Sequence, residues 1–498
     1  MTVLNTEATV GVVGAGAMGA GIAQVAALAG HRVKIHDTFA GAGEKALARI
    51  AGNLDKEFAK GRLEKQKRDA TGARIEAVSS LSALADCAIV IEAIVEDLHV
   101  KQRLFAELEA IVPDTTILAT NTSSISISAI ASVLKRPDRA VGMHFFNPAP
   151  VMKLVEVVSG AATSARYAAT VFDTATAWGK TAVHCRSTPG FIVNRIARPY
   201  YAEALRLLEE GCADIATIDA LMTDGGGFRM GPFRLMDLIG HDVNYAVTRS
   251  IFEAYYFDPR YRPSNVQKEL VDAGWLGVKA GRGFYDHVDG STQPPVSEEP
   301  VPTSTSALDQ LKPGAEVWTD KFVVRQTDGR TAADHALEVG HPVALYDLCM
   351  NWREGSRIAL AISPNVSAPA LSHLVAAFSA RGLRVSLVGD RPGLVVQRTA
   401  AMIVNEGYEA WFHQIASPEA IDVAMKNGVN YPAGPFELGR RVGLSTVLGT
   451  LDNLLKATGD SRYRASEKLR EAERAQQLQN ATATPPRSEE IMREASQA

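Results

Sequence analysis

At 498 residues, 46% hydrophobic and 22% charged, the chain has an ordinary globular composition and enough length for about three domains. A formal charge of -4 supplies no basic stripe, which argues against nucleic acid or an anionic membrane as a main partner, and no apolar run approaches the ~20 residues of a membrane-spanning helix. The first apolar run is broken by Gly11, Gly14 and Gly16 with no basic segment before it, so it is not a signal-peptide pattern and a cytoplasmic location is expected. Cys87, Cys185, Cys212 and Cys349 lie far apart, without a Cys-x-x-Cys pair or a histidine cluster at ligand spacing. They are expected to be reduced, buried thiols, and no metal is expected.

Residues 9 to 187 alternate short β-branched runs, at 9–13, 32–36, 88–93, 116–120 and 140–146, with amphipathic helical patterns. That rhythm predicts a doubly wound parallel sheet, a Rossmann-type α/β domain over 1–188. Gly14-Ala15-Gly16-Ala17-Met18-Gly19 follows the first run and opens a helix over 20–29. In that context Gly14 permits the tight turn, Gly16 lets a pyrophosphate approach the backbone, and Gly19 lets the helix pack on the strand. The free N–H groups of the helix start, around Ala17 and Met18, face the phosphates. Asp37 ends the second run, where a carboxylate accepts hydrogen bonds from ribose hydroxyls and repels a 2′-phosphate; the expected cofactor is NAD, not NADP.

The run 140–146 leads into His144-Phe145-Phe146-Asn147-Pro148 and then a second apolar strand at 153–158 that contains Glu156. Oxidising a secondary alcohol requires removal of the hydroxyl proton as hydride leaves, and an imidazole titrating near neutrality suits that exchange. A glutamate in an apolar strand is costly unless paired, and a return strand beside His144 would bring Glu156 to the ring. Ser123, in Asn121-Thr122-Ser123-Ser124, and Asn194, after Pro189-Gly190, are uncharged groups able to hold substrate oxygens.

Beyond this domain the expected order is a mainly α-helical domain over 189–289, a Pro- and Ser-rich linker over 290–312, a degenerate α/β segment over 313–391 without a phosphate loop, a second helical copy over 392–472, and a polar tail over 473–498 that is disordered or loosely helical. The second copy rests on a repeat at a spacing of 203: Pro189-Gly190-Phe191-Ile192-Val193-Asn194-Arg195 recurs as Pro392-Gly393-Leu394-Val395-Val396-Gln397-Arg398, and Gly231-Pro232-Phe233 as Gly434-Pro435-Phe436. Gln397 stands where Asn194 does, and neither a second His-Phe-Phe-Asn-Pro nor a second glycine-rich loop precedes it, so one active site per chain is expected. Two such helical units can pack on each other within one chain as two subunits would, which is expected to replace one contact of a homo-oligomer.

Gly14–Gly19, Val90-Ile91-Glu92-Ala93, Asn121–Ser124, His144–Pro150, 153–157, Gly190–Arg195, Met230–Phe233 and Asp237-Leu238-Ile239-Gly240 together resemble the L-3-hydroxyacyl-CoA dehydrogenases, bacterial 3-hydroxybutyryl-CoA dehydrogenases included, nearly continuously over 9–286. The resemblance implies that the chain is an NAD-dependent enzyme on an acyl-CoA substrate, with His144 as acid/base, Glu156 as its partner, and Ser123 and Asn194 on the substrate. It further implies that Glu92 and Lys101 lie at the cofactor, and that Lys56 and Lys60, four apart on one helical face, lie near the coenzyme A phosphates; a solvated helix face is the alternative for these two lysines. The duplicated helical unit and the run 184–201 narrow the resemblance toward the 3-hydroxyadipyl-CoA dehydrogenase type, with Arg198, Arg229 and Arg234 as candidates for a distal carboxylate. The competing readings are a short-chain 3-hydroxybutyryl-CoA enzyme, a dehydrogenase of free 3-hydroxyacids using a catalytic lysine, and an NAD-binding relative without activity.

Overall fold

The computed structural model describes residues 3–302 and 308–483. They form two compact units, one built from residues 3–197, 247–257 and 414–434, the other from 198–246, 258–302, 308–413 and 435–483. Among the described residues no helix is long and apolar enough to cross a membrane, and no group of His, Cys, Asp or Glu side chains could hold a metal ion.

The first unit holds an eight-stranded sheet ordered β3-β2-β1-β4-β5-β6-β7-β8. Its strands are β1 (Thr9–Val13), β2 (Val33–His36), β3 (Ile75–Val78), β4 (Cys87–Glu92), β5 (Ile117–Thr120), β6 (Ala140–Phe145), β7 (Leu154–Ser159) and β8 (Thr181–Arg186). The helices are α1 (Ala17–Leu28), α2 (Ala42–Ala59), α3 (Lys65–Ala73) and α4 (Leu98–Ile111), with Ala165–Ala177 further on. Central strands are covered on both faces, which explains their near-continuous apolar sequence. Val10, Val12, Ile89 and Ile91 pack with Ile22 and Val25 of α1, while Val13, Val90 and Leu118 pack with Phe105 and Leu108 of α4.

The sheet is parallel from β3 through β6, but β7 runs antiparallel to β6, with His144 opposite Glu156 in the register. The reason is length: residues 146–153 are too few for a crossover, which needs about a dozen, so the chain can only turn back. Helix Pro418–Gly428, from the second repeat, covers the outer strands. Its Gly428 is so close to Leu154 that a Cβ there would lie 2.7 Å from Leu154 Cδ2, and the Arg186 N–H donates to Ile415 O just before the helix.

The second unit holds a five-stranded sheet ordered β13-β12-β11-β10-β9, from β9 (Val317–Trp318), β10 (Val323–Gln326), β11 (Val343–Tyr346), β12 (Arg357–Ile362) and β13 (Arg384–Leu387). Strands β11, β12 and β13 begin 203 residues after β6, β7 and β8, and they repeat their pairing, antiparallel then parallel. The duplication therefore reaches beyond the helical domain into the adjoining half of the sheet. The covering helix is exchanged reciprocally: the segment Leu221–Gly225 of the first repeat lies on β12, where a Cβ on Gly225 would meet Arg357 O at 2.5 Å, and the Gly389 N–H donates to Cys212 O.

In the same unit, helices Arg198–Glu209 and Val396–Phe412 pack together around a fully buried Arg398, which donates to Glu203 at 2.8 Å. The segment expected as a linker is docked where it is described. The Glu299 N–H donates to Val385 O on the edge strand β13, Ser297 O accepts from Ser386 and Arg357, and Glu298 pairs with Arg357. Its composition cannot build a core, but its backbone can still satisfy an exposed sheet edge. Residues 303–307 of it, like 484–498 of the polar tail, lie outside the described residues; helix Glu467–Ala483 occupies the beginning of that tail.

Candidate active site

His144 is the fifth residue of β6 and Glu156 the third of β7, and the antiparallel register brings their side chains to the same face. Nδ1 of His144 lies 2.7 Å from Glu156 Oε2, with Glu156 fully buried. The second carboxylate oxygen, Oε1, accepts the N–H groups of Ile192 and Val193 at 3.1 and 3.0 Å. One carboxylate thus orients the imidazole and also anchors the backbone that carries Asn194. Gly190 and Phe191 adopt positive φ there, 76° and 48°, and this tight turn directs the Phe191 ring to 5.7 Å from His144; Phe146 packs at 4.6 Å on the ring. With Nδ1 committed, Nε2 is the nitrogen left to meet a substrate.

Ser123 follows β5 on the same edge of the sheet. Asn121 in this loop accepts the Phe145 N–H at 2.8 Å, tying it to the His144 strand, and Asn194 Nδ2 approaches Ser123 O at 3.5 Å. Glu96, absent from the sequence expectation, organises the loop: its Oε1 accepts the Thr122 hydroxyl at 2.7 Å and the N–H groups of Ser123 and Ser124 at 2.9 and 3.0 Å. Burial pushes the Glu96 carboxyl up, but Lys101 and these donors outweigh it and hold it below the ordinary glutamate range. Glu96 gave little sequence signal, being one acid in a polar loop.

Glu92 and Lys101, expected at the cofactor, are both buried, and their side chains are spent on each other at 2.6 Å. Glu92 closes β4 with its carboxylate turned into the fold, where it also accepts from the Ile94 N–H and the Thr120 hydroxyl. The carboxylate at the Ser123 loop is that of Glu96, which Lys101 also reaches at 3.3 Å.

At the β1–α1 turn, Gly14 has φ 105° and a Cβ there would lie 2.5 Å from Ala93 O; a Cβ on Gly19 would collide with Gly14 O. Internal packing thus requires both glycines. Gly16 differs, because a Cβ there would meet nothing within 4 Å, so the space it keeps clear lies outside the protein. Gly16 caps α1 without a side-chain acceptor, leaving the N–H groups of Ala17, Met18 and Gly19 for a ligand's phosphates. Asp37 follows β2, its two oxygens accepting the Ala15 N–H at 2.7 Å and the Phe39 N–H at 2.9 Å, so the carboxylate is fixed beside the glycine turn with lone pairs to spare. This cradle fits a dinucleotide. Lys56 is exposed on α2 and Lys60 is exposed just past its end, Lys60 leaning to Glu57 at 3.6 Å.

In the second repeat the corresponding residues bond to each other. Gln326 and Gln397, each 203 residues after Ser123 and Asn194, donate and accept directly at 2.8 Å, and Gln397 also donates to Thr327 O and Thr450 Oγ1.

A Rossmann sheet with a dinucleotide cradle after β1 and a carboxylate-oriented imidazole near the end of β6 in the same sheet defines an NAD-dependent alcohol dehydrogenase of the α/β class. The 3-hydroxyacyl-CoA dehydrogenase NAD-binding domain matches residues 9–188, its C-terminal domain matches twice, at 190–287 and 393–485, and the 3-hydroxybutyryl-CoA dehydrogenase reduced Rossmann-fold domain matches 324–392. The chain is 44% identical to the 3-hydroxyadipyl-CoA dehydrogenase of Escherichia coli (strain K12), over 93% of its own length and 97% of the relative's. It superposes on a crystal structure titled 3-hydroxybutyryl-CoA dehydrogenase from Escherichia coli K12 with a TM-score of 0.91, at 43% identity and covering 94% and 98% of the two chains. A probable 3-hydroxybutyryl-CoA dehydrogenase of Bacillus subtilis is 43% identical over 55% of this chain and 96% of its own. The chain belongs to the 3-hydroxyacyl-CoA dehydrogenase family, and is an NAD-dependent enzyme of that family.

Proposed function

We propose that His144 is the acid/base of the reaction, Glu156 its orienting partner, and Ser123 and Asn194 the groups that hold the substrate oxygens. The observation that carries this reading is the 2.7 Å contact between His144 Nδ1 and Glu156. NAD, when bound on the glycine turn, supplies the hydride acceptor. Nε2 of His144 takes the proton of the 3-hydroxyl as the alcohol becomes a ketone, and Glu156 stabilises the imidazolium that results. Ser123 Oγ and Asn194 Nδ2 donate toward substrate oxygens, with Glu96 fixing the Ser123 loop. Ala17, Met18 and the three glycines hold the pyrophosphate and Asp37 the ribose, while Glu92 and Lys101 brace the β4–α4 connection beside them.

For the substrate, we infer an L-3-hydroxyacyl-CoA whose acyl chain ends in a carboxylate, 3-hydroxyadipyl-CoA. The support is the full-length relative of that name, whose match runs through the duplicated half. Arg229 and Arg234 are exposed cations for a distal carboxylate, whereas Arg198 is buried over the Tyr201 ring at 4.9 Å. Lys56 and Lys60 are assigned to the coenzyme A phosphates. The name of the crystal relative supports the alternative, 3-hydroxybutyryl-CoA. NADH formation over a panel of short, long and dicarboxylic 3-hydroxyacyl-CoA thioesters decides between them: equal kcat/KM on hydroxyadipyl-CoA and a neutral chain of like length sinks the carboxylate reading. Four buried free thiols fit a reducing compartment, and a cytoplasmic location is part of this proposal.

A further inference from the structure

Lys180 is used by none of these roles, yet it is an unusual side chain. It stands just before β8, only 9% exposed, and its ammonium donates to two backbone carbonyls, Ala149 O at 2.5 Å and Met152 O at 2.8 Å. Both acceptors lie in residues 146–153, the turn that joins the His144 strand to the Glu156 strand. The same turn touches α1: a Cβ on Gly21 would lie 3.1 Å from both Ala149 Cβ and Pro150 Cδ. A burial of this kind is costly for a cation, and burial alone lowers the Lys180 pKa to about 8.

The second repeat shows that the turn does not need the lysine in order to fold. Its counterpart at the same offset, residues 349–356, lies within the slightly longer connection 347–356 from β11 to β12, and the residue 203 after Lys180 is Leu383, a core side chain. That copy has neither an imidazole at this place nor a dinucleotide turn. The costly cation is kept only in the half where the turn connects a catalytic hairpin to a cofactor helix.

We propose that Lys180 is a positioning residue for the dehydrogenase reaction: its ammonium clamps the 146–153 turn against α1 and so fixes the His144–Glu156 hairpin relative to bound NAD. The inference rests on the His144 reading above, but its readout on NAD does not. Charged groups on the surrounding elements are Lys153 at the end of the turn, Arg166 and Asp173 on helix Ala165–Ala177, His184 and Arg186 on β8, and His31, whose ring packs on Trp178. Lys180 forms no ion pair with any of them among the described residues, and α1 carries no charge.

The test is steady-state kinetics of the full chain on a 3-hydroxyacyl-CoA, with NAD binding measured separately by fluorescence, for wild type, Lys180→Met and Lys180→Arg between pH 6.5 and about 9.5. Lys180→Met should raise the KM for NAD and lower kcat by roughly tenfold to a hundredfold at neutral pH, the scale expected for misplaced reacting groups. In wild type the KM for NAD should climb above about pH 8 as the ammonium loses its proton, and Lys180→Arg, which stays charged, should move that rise upward. A lysine that only stabilises the fold predicts a lower melting temperature for Lys180→Met with unchanged KM, kcat and pH profile at 25 °C, which overturns the proposal; so does an alkaline rise unmoved in Lys180→Arg. Should Lys180→Met fail to fold, the arginine variant alone decides. If the His144 reading fails while NAD binding still depends on Lys180, kcat loses its meaning here and the binding result stands.

Discussion

Asp347 lies 203 residues after His144 but does the work of Glu156: its carboxylate accepts the N–H groups of Val395 and Val396 at 2.9 and 2.7 Å, the residues corresponding to Ile192 and Val193. Ala359 stands opposite, where Glu156 does in the first sheet, and the Asp347 N–H donates to its carbonyl. In the second half one acid stands in place of the imidazole–carboxylate pair, keeping the anchor for the helical repeat without the proposed proton relay. Glu156→Gln should therefore lower kcat by roughly 10²- to 10⁴-fold while NAD binding holds, because the amide cannot enforce the Nδ1–H form of His144. Loss of folding in place of loss of turnover would make Glu156 an anchor only.

Burial raises Asp347 from its ordinary 3.8 to about 6 in spite of four backbone donors. Between those values the folded chain holds a proton that the unfolded chain has released, so this group favours folding as pH falls from 6 toward 4, and its cost is full and constant above about 6. The difference in unfolding free energy between wild type and Asp347→Asn should thus change across that window and be flat above it. A difference independent of pH from 4 to 7 would show that Asp347 titrates normally.

Much of this was legible in the sequence for physical reasons. The glycine turn and the apolar central strands have local signatures, and a charged Glu156 in an apolar strand demanded a partner. The second sheet's kinship with β6–β8 was not legible, since a repeated fold tolerates Asp347 for His144, Leu383 for Lys180 and Gln397 for Asn194. Glu96 was not legible for a related reason: it is one acid in the loop after β4, and only the folded chain brings it to the serines while Glu92 pairs with Lys101.

His144→Gln removes the proposed proton acceptor but leaves the glycine turn and Asp37 untouched. Turnover should fall by about 10²- to 10⁴-fold with an unchanged dissociation constant for NAD. Steady-state kinetics paired with NAD titration checks this. The inverse result, weak NAD binding with intact turnover, would put the chemistry elsewhere.

Asp37 holds its carboxylate rigid through the Ala15 and Phe39 N–H groups, and in its proposed place at the ribose it would repel the 2′-phosphate of NADP. Asp37→Ala should cut kcat/KM with NAD by roughly tenfold to a hundredfold, the scale of hydrogen bonds to a charged group, and lift the repulsion against NADP. The ratio of the two efficiencies is the readout, and an unchanged ratio would take Asp37 off the ribose.

Arg398 joins the two helical repeats through a network buried at Arg398, Glu203 and Tyr463 and half-buried at Glu210: Nε donates to Glu203 at 2.8 Å, Nη1 and Nη2 to Glu210 at 2.7 and 2.8 Å, and Nη2 also to the Tyr463 hydroxyl at 2.7 Å. Burial alone would raise Glu203, but Arg206 and Arg398 outweigh it and hold its carboxyl below the ordinary range, so this contribution is present at neutral pH and is lost only as pH falls through the lowered value. Arg398→Ala leaves buried Glu203 with Arg206 but without the Arg398 guanidinium and should cost about 3 kcal/mol of stability, whereas replacing both Arg398 and Glu203 with apolar side chains of similar volume should cost far less. Chemical denaturation of the single variant and of Arg398→Met/Glu203→Met distinguishes the two cases. If the single change costs no more than an exposed ion pair, about 1 kcal/mol or less, the network does not hold the repeats together.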